Sequence, residues 1–525
     1  MGIYLNPNND RFYEAVNSPI YIDKTGLISV VNQKIKTTEK FICVSRPRRF
    51  GKSMNLGMLA AYYSVGCDSD ELFQGLYISK EESYRKHLNK YNVIYINMQQ
   101  FLSNSHNINE MLSFLKQSLM YDLEDDFSDI KLREEMGLTY NLNRVYQKKR
   151  VPFVVLIDEW DCVMREHRNN KDAQKIYLDF LRDFLKDQDY VAFAYMTGIL
   201  PVKKYGTHSA LNMFDEYSML GSEKMQKYIG FTDAEVRMLC ETYNADYFEM
   251  KAWYDGYQLD GEELYCPRSV VKAVDTKKFM GYWTETETYE ALSVYISMNF
   301  DGLKDAIEKL LAGQEQPVDT RTFSNDMVTF ANKDDILTLL IHLGYLGYNS
   351  DKKTAYIPNK EIYDEFVVSM KVTGLWKETI EAVSKSKQLL YDTLNGNAEV
   401  VAESIEAVHD SNSSVINYNN EQSLRFIILI AYYYAKEQYD IVQEMPAGKG
   451  FADIMLIPKP RTDIESYPPM VIELKWDKSA ETAITQIKDK NYPERLKSFG
   501  KVLLVGISYD KDTKKHNCII EKHNL

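Results

Sequence analysis

Ser45-Arg46-Pro47-Arg48-Arg49-Phe50-Gly51-Lys52-Ser53 decides the fold of the first part of this chain. The apolar run Phe41-Ile42-Cys43-Val44 precedes it and has the character of a buried parallel strand; Met54 to Tyr63 follows and reads as a helix. A strand, a turn ending in Gly-Lys-Ser and a helix together cradle nucleotide phosphates. The turn's N–H groups and the helix N-terminus face the anion, Lys52 neutralises the β- and γ-phosphates, and the Ser53 hydroxyl binds Mg²⁺. Arg48, Arg49 and Gly51 complete the nucleotide-binding set of this loop. The pattern G-x-x-x-x-G-K-[ST] asks for glycine where the chain has Arg46, so the reading needs a partner motif downstream.

That partner is Phe153-Val154-Val155-Leu156-Ile157-Asp158-Glu159. Five apolar residues ending in two acids describe a central parallel strand whose tip carries carboxylates, where open α/β sheets bind their ligands. Alone, the run is a strand end meeting solvent. In this order after Gly-Lys-Ser it makes an ATP site, with Asp158 and Ser53 on Mg²⁺ and Glu159 as general base for the attacking water. The next strand, Tyr190 to Met196, ends at Thr197-Gly198, and Thr197 is the candidate γ-phosphate sensor, against a plain turn-forming Thr-Gly. Arg165 and Arg168, just past the acidic tip, are candidate arginine fingers supplied by a neighbouring subunit. Lys203 and Lys204 read as a solvated pair.

At 525 residues the chain is too long for one core, and two or three domains are expected. The formal net charge of −13 argues against a generally basic nucleic-acid coat protein but leaves room for a local basic groove. Cys43, Cys67, Cys162, Cys240, Cys266 and Cys518 form no C-x-x-C pair, so neither a disulfide framework nor a zinc cluster is expected. The N-terminus has no apolar signal core, and Phe426 to Ala435 is too short to span a bilayer. A cytoplasmic protein without a membrane partner is the expectation.

In chain order, Tyr21 to Leu27 reads as a strand-like piece followed by a helix toward Lys36. Tyr91 to Met98 reads as a second buried strand and 107–125 as an amphipathic helix. Helices over 232–244 and 247–254 follow, and Trp253-Tyr254-Asp255-Gly256-Tyr257 and Tyr265 to Val270 look like tight packing without chemistry. Residues 334–366 run helix, strand, turn, strand, helix, the order of a small winged helix. The stretch 381–420 reads as a linker or helical connector.

A second chemical centre lies near the C-terminus, where 421–525 reads as αβββαβ. In Met470-Val471-Ile472-Glu473-Leu474-Lys475-Trp476, strand alternation puts Val471, Glu473 and Lys475 on one face, and Asp453 sits on the neighbouring strand. Two carboxylates and a lysine at a sheet edge bind a divalent cation and activate water. Asp453 and Glu473 are the expected metal ligands, with Glu421 as a third carboxylate. Lys475 orients the water or steadies charge on phosphate. Gln486 and Lys490, four apart on the last helix, flank the scissile phosphate as nucleic-acid-binding residues. The competing reading is a solvated strand face with a Glu–Lys pair.

The two centres together resemble a family of predicted AAA-like ATPases that carry a C-terminal domain of the PD-(D/E)XK nuclease superfamily. The resemblance rests on Tyr21-Ile22-Asp23-Lys24-Thr25, on Arg46 to Ser53, on Leu156-Ile157-Asp158-Glu159, on Thr197-Gly198 and on Trp253 to Tyr257. At the C-terminus it rests on Asn420-Glu421, Gly450 to Asp453, Ile472 to Lys475 and Gln486 to Tyr492. In that family arginine at position 46 is usual. The resemblance implies ATP-Mg²⁺ binding in the first domain and a nuclease fold with Mg²⁺ or Mn²⁺ in the last.

The fold expected is α/β: a P-loop NTPase domain with an open parallel sheet over 1–221, a helical and winged-helix lid over 222–380, the connector over 381–420, and a restriction-endonuclease-like domain over 421–525. The function expected is an ATPase coupled to a metal-dependent nuclease acting on nucleic acid, with DNA favoured over RNA, in a homo-oligomer, in mobile-DNA defence or maintenance. The alternative is a nucleotide-dependent switch whose nuclease-like domain grips nucleic acid without cutting. A weaker third reading is an ATPase acting on protein.

Overall fold

In the computed structural model, Phe41–Ser45 (β1) and Phe153–Asp158 (β3) are buried at every position, as unbroken apolar runs require of central parallel strands. Each such side chain contributes roughly 1.5–3 kcal/mol when fully buried. The structure describes residues 2–202, 211–221, 223–283, 289–298, 300–324, 330–373, 377–412, 421–447, 450–460 and 462–524. Lys203, Lys204, Gly448 and Lys449 lie outside them.

The chain divides into two compact units, Met1–Thr288 with Glu315–Glu365, and Tyr289–Gln314 with Phe366–Leu525. In the first, Asn92–Asn97 (β2), Val191–Gly198 (β4) and Asp215–Tyr217 (β5) join β1 and β3 in a sheet of order β2-β3-β4-β1-β5. All its pairings are parallel. Because β4 lies between β1 and β3, Thr197 is opposite both Val44 and Asp158. The phosphate-loop helix begins at Lys52 and ends at Tyr63, starting two residues before its apolar run.

Tyr21 to Lys24 is not a strand. Asp23 Oδ1 accepts from the Thr25 backbone N–H at 2.8 Å and its hydroxyl at 2.6 Å, while Oδ2 accepts from the Tyr77 N–H at 2.7 Å. These bonds hold the chain in a turn that leads into the Gly26–Lys34 helix. Lys24 Nζ donates to Glu235 Oε1 at 2.7 Å and to the Lys227 carbonyl at 2.8 Å. Further along the same unit are the Lys333–Leu343 helix and the Gly347–Asn349 and Thr354–Tyr356 hairpin, to which Gln316–Pro317 adds a third short strand.

In the second unit, the strands Tyr439–Ala447, Gly450–Pro458, Met470–Trp476, Lys501–Asp510 and Lys515–Asn524 form a sheet in chain order. The Met470–Trp476 and Lys501–Asp510 pair is parallel and the others are antiparallel. The last strand extends the expected αβββαβ order by one. It is an edge strand with few buried positions, so its alternation is weak.

The stretch that reads as a connector holds two helices, Lys377–Leu394 and Ala398–Asn412. Their Leu389, Leu390, Val401 and Ile405 share a core with Ile428, Ile454, Ile472 and Val505. On the other sheet face, Ile484 and Ile487 of the Ala480–Asp489 helix pack on Met455, Val471 and Leu504. Among the described residues, no helix is long and apolar enough to cross a membrane.

Candidate active sites

The phosphate loop closes on Gly51, whose φ of +85° lies in the left-handed region that glycine enters without cost. Lys52 then begins the helix. Its Nζ is buried and donates to the carbonyls of Arg46 at 3.0 Å and Pro47 at 2.9 Å. Burial pulls the Lys52 ammonium below its usual pKa, against the opposing charges of Glu159, Asp158 and Asp161. Ser53 Oγ donates to Asp158 Oδ2 at 2.6 Å, so the fold brings together the two proposed Mg²⁺ ligands. Burial raises the Asp158 carboxyl, opposed by the Ser53 hydrogen bond and by Lys52. A divalent cation between two such oxygens would relieve that cost, and the donor set fits Mg²⁺.

Thr197 is fully buried beside Asp158, and its Oγ1 has no hydrogen-bond partner in the described structure. Arg46 is also fully buried. Nη1 donates to the Ser45 carbonyl at 3.0 Å, Nε and Nη2 have no hydrogen-bond partner in the described structure, and burial lowers the guanidinium to about 10. Arg48 is half-buried and Arg49 is exposed, with φ +70°.

Arg165, one of the two candidate arginine fingers, is engaged within its own chain. Its side chain is mostly buried and forms an ion pair with Glu159 of the same chain, and its Nε lies 3.4 Å from Asp161 Oδ2. That Asp161 oxygen accepts from the backbone N–H groups of Ile199 at 3.0 Å and Leu200 at 2.8 Å. Arg168 donates through Nε to the Arg165 carbonyl at 2.9 Å. Glu159 sits at φ +52°, and burial raises its carboxyl despite Arg165.

Residues read as packing alone reach this loop. Tyr257 meets Phe50 edge-on at 5.4 Å between ring centroids, and its hydroxyl donates to the Gly344 carbonyl at 2.7 Å. Trp283 Nε1 donates to the Arg48 carbonyl at 3.2 Å. The Trp283 backbone is held in turn by buried Glu361, whose Oε1 accepts from the N–H groups of Tyr282 at 2.6 Å and Trp283 at 2.8 Å. Ser269 Oγ donates to the same carboxylate at 2.9 Å. Nothing in the local sequence marks Glu361, because its partners come from two distant segments.

In the second unit, Asp453 shares a face with Met455 and Glu473 with Val471, so both carboxylates lie on the side of the Ala480–Asp489 helix. Lys475 Nζ donates to Glu473 Oε1 at 2.9 Å, and Gln486 Nε2 donates to the same oxygen. Glu473 Oε2 is buried without a hydrogen-bond partner in the described structure. Burial, then the charge of Asp453, pushes the Glu473 carboxyl up to about 7. Asp453 Oδ2 accepts from the Leu474 N–H at 2.8 Å, and Oδ1 accepts from Arg425 Nη2 at 2.7 Å.

An orphaned buried carboxylate oxygen beside a second carboxylate fits a divalent cation. Sequence reasoning missed Arg425, since one arginine in a helix carries no signal of where it points. Lys490 is exposed just past the helix end, and the Glu421 side chain lies outside the described ones. Among the described residues, no group of three or more His, Cys, Asp or Glu gathers as a metal centre.

Residues 13–207 match the family model described as a predicted AAA-ATPase, and residues 419–518 match that of the PD-(D/E)XK nuclease superfamily. An uncharacterized protein in the vnfD 5' region of Azotobacter chroococcum mcd 1 is 25% identical over 521 residues, spanning 94% of this chain and 93% of its own. Cdc6p from Pyrobaculum aerophilum superposes at TM-score 0.27 with 10% identity, over 69% of this chain and 98% of its own. The Aeropyrum pernix ORC2 protein does so at 0.32 with 11% identity, over 68% and 97%. Likenesses this low define neither fold nor function. The two family matches agree with the parallel sheet of the first unit and the mixed sheet of the second.

Proposed function

We propose that this chain, which carries an AAA-ATPase-like domain and a PD-(D/E)XK nuclease-superfamily domain, hydrolyses ATP in the first and cleaves nucleic-acid phosphodiester bonds in the second, in the cytoplasm. The observation that carries the reading is the Asp453, Glu473, Lys475 and Gln486 cluster, with the Glu473 Oε2 atom left bare in a buried setting. An unmet buried acceptor is costly unless a ligand meets it. Asp453 and Glu473 would hold Mg²⁺ or Mn²⁺, which supplies Lewis-acid polarisation of phosphate and a more acidic water. Lys475 and Gln486 fix the Glu473 carboxylate, and the Lys475 ammonium offsets charge on the phosphate. Lys490 adds a cation on the approach for the backbone of the nucleic acid.

In the first domain Lys52 trades the loop carbonyls for β- and γ-phosphate oxygens. Ser53 and Asp158 would hold Mg²⁺, Thr197 would offer its unmatched hydroxyl to the γ-phosphate, and Glu159 would take the proton of the attacking water. Arg48 and Arg49 add positive charge at the loop.

The test is a cleavage assay on plasmid, single-stranded DNA and RNA with Mg²⁺ or Mn²⁺, with and without ATP. Cleavage lost in Glu473→Gln and altered by ATP only when Lys52 is intact supports the reading. ATP hydrolysis without cleavage under every condition refutes the nuclease half. The bonding of Asp453 to Arg425 favours one second reading, a nucleotide-dependent switch whose last domain binds nucleic acid without cutting. A setting in mobile-DNA defence or maintenance is tested by plasmid retention with the parent and with Lys52→Ala.

A further inference from the structure

Each carboxylate of the second site already has a cation from its own chain. Asp453 Oδ1 is held by Arg425 Nη2 at 2.7 Å, and Glu473 Oε1 by Lys475 Nζ at 2.9 Å. Both pairs are shielded from solvent: side-chain exposures are 15% and 13% for Arg425 and Asp453, and 9% and 2% for Lys475 and Glu473. The two cations are not equivalent. Lys475 is two residues from Glu473 on the same strand and also donates to the Leu474 carbonyl at 3.0 Å, so it is built into the site. Arg425 arrives from a separate helix, Glu421–Ala431, on a long flexible stem. It meets the Asp453 oxygen that is not used by the Leu474 N–H. The Glu473 Oε2 atom has no hydrogen-bond partner in the described structure, so one acceptor of the cluster is still open.

A divalent cation brought to both carboxylates meets the Arg425 guanidinium at Asp453. With Arg425 and Lys475 in place, two carboxylates face two cations, and adding a metal ion leaves an excess of positive charge in a site of low dielectric. A phosphodiester anion removes that excess, and guanidinium is the side chain best shaped to hold phosphate oxygens.

We propose that Arg425 is a positioning residue that occupies the metal-binding oxygen of Asp453 and yields it when nucleic acid arrives, so that metal and phosphate are taken up together. This rests on the nuclease-like reading of the site. Arg425 balances the Asp453 carboxylate without a metal ion, and its transfer to the phosphate couples substrate binding to metal loading. A metal-loaded, substrate-free site is thereby disfavoured.

The test measures Mn²⁺ binding to the nucleotide-free full chain by electron paramagnetic resonance, with and without a short DNA oligonucleotide. The variants are Arg425→Met, Arg425→Lys and Glu473→Gln, each checked by circular dichroism. The parent is expected to bind Mn²⁺ roughly tenfold or more tightly with the oligonucleotide than without, the equivalent of one charge-assisted hydrogen bond. Arg425→Met should bind Mn²⁺ tightly without the oligonucleotide and lose most of that coupling, while Arg425→Lys should keep it. Mn²⁺ binding that depends on Glu473 but is unchanged or weakened in Arg425→Met overturns the inference and leaves the nuclease-like reading standing. No Glu473-dependent binding in any protein, with or without the oligonucleotide, overturns both.

Discussion

Replacing Glu361 with glutamine should abolish a pH dependence that the folded first unit otherwise carries. Glu361 is 3% exposed, and burial is the main reason its carboxyl rises from the ordinary 4.5 to about 7, despite the hydrogen bonds from Tyr282, Trp283 and Ser269. The folded chain therefore keeps this proton up to about pH 7, while the opened chain releases it near 4.5. Between those values the folded state binds more protons than the open one, so stability falls as pH rises and levels off above about 7. The full difference corresponds to about 3 kcal/mol, an upper figure because the open state is not fully solvated.

Glutamine keeps an acceptor for the Tyr282 and Trp283 N–H groups but has no proton to lose. The assay is hydrogen exchange of the peptide holding Tyr282 and Trp283, measured from pH 5 to pH 8 and corrected for intrinsic exchange. The parent should lose protection relative to Glu361→Gln by about 2–3 kcal/mol across that range. Parallel profiles for the two proteins would refute the reasoning. Because Trp283 donates to the Arg48 carbonyl, the same opening should weaken nucleotide binding at the higher pH.

Three further outcomes are expected. Arg165 pairs with Glu159 within one chain, so mixing Arg165→Ala with Glu159→Gln should not restore ATP hydrolysis; recovery on mixing would make Arg165 a residue donated between subunits. Asp122 is 8% exposed and accepts from the backbone N–H groups of Ile3 at 3.2 Å, Tyr4 at 2.7 Å and Leu5 at 3.0 Å. Asp122→Ala orphans those donors at a cost of about 2–4 kcal/mol, and limited proteolysis should release the N-terminal segment, whereas parent-like resistance would contradict it. A Cβ on Gly506 would lie 2.7 Å from the Ala480 carbonyl and 3.0 Å from Ile484 Cγ1, and Gly506 is opposite Glu473 in the sheet. Gly506→Val should cost roughly 1–3 kcal/mol and lift Gln486 away from Glu473, read as a lower thermal midpoint with loss of Mn²⁺ binding; an unchanged midpoint would show that the helix yields freely.

The first sheet is legible because its signals are local. An unbroken apolar run before Gly51-Lys52-Ser53 and another before Asp158 specify buried parallel strands with loops at their tips. The same holds for Glu473 and Lys475, whose shared face follows from strand alternation alone. Where the pattern is weak the reading fails: Lys515–Asn524 is a polar edge strand that gains its place from pairing with Lys501–Asp510, and Tyr21 to Lys24 is shaped by the side chain of Asp23 rather than by a ladder.

The sequence by itself determined which residues are the candidates: Lys52, Ser53, Asp158 and Glu159 in one short pair of motifs, and Asp453, Glu473 and Lys475 on two neighbouring strands. Only the tertiary structure decided how their charges are balanced. Arg165 turns inward to Glu159 and Asp161, Arg425 crosses from its helix to Asp453, and Glu361 gathers Tyr282 and Trp283. Periodicity is a property of a few consecutive residues, whereas the partner of a buried charge is whichever opposite group packing brings within hydrogen-bond distance. That choice depends on segments far apart in the chain.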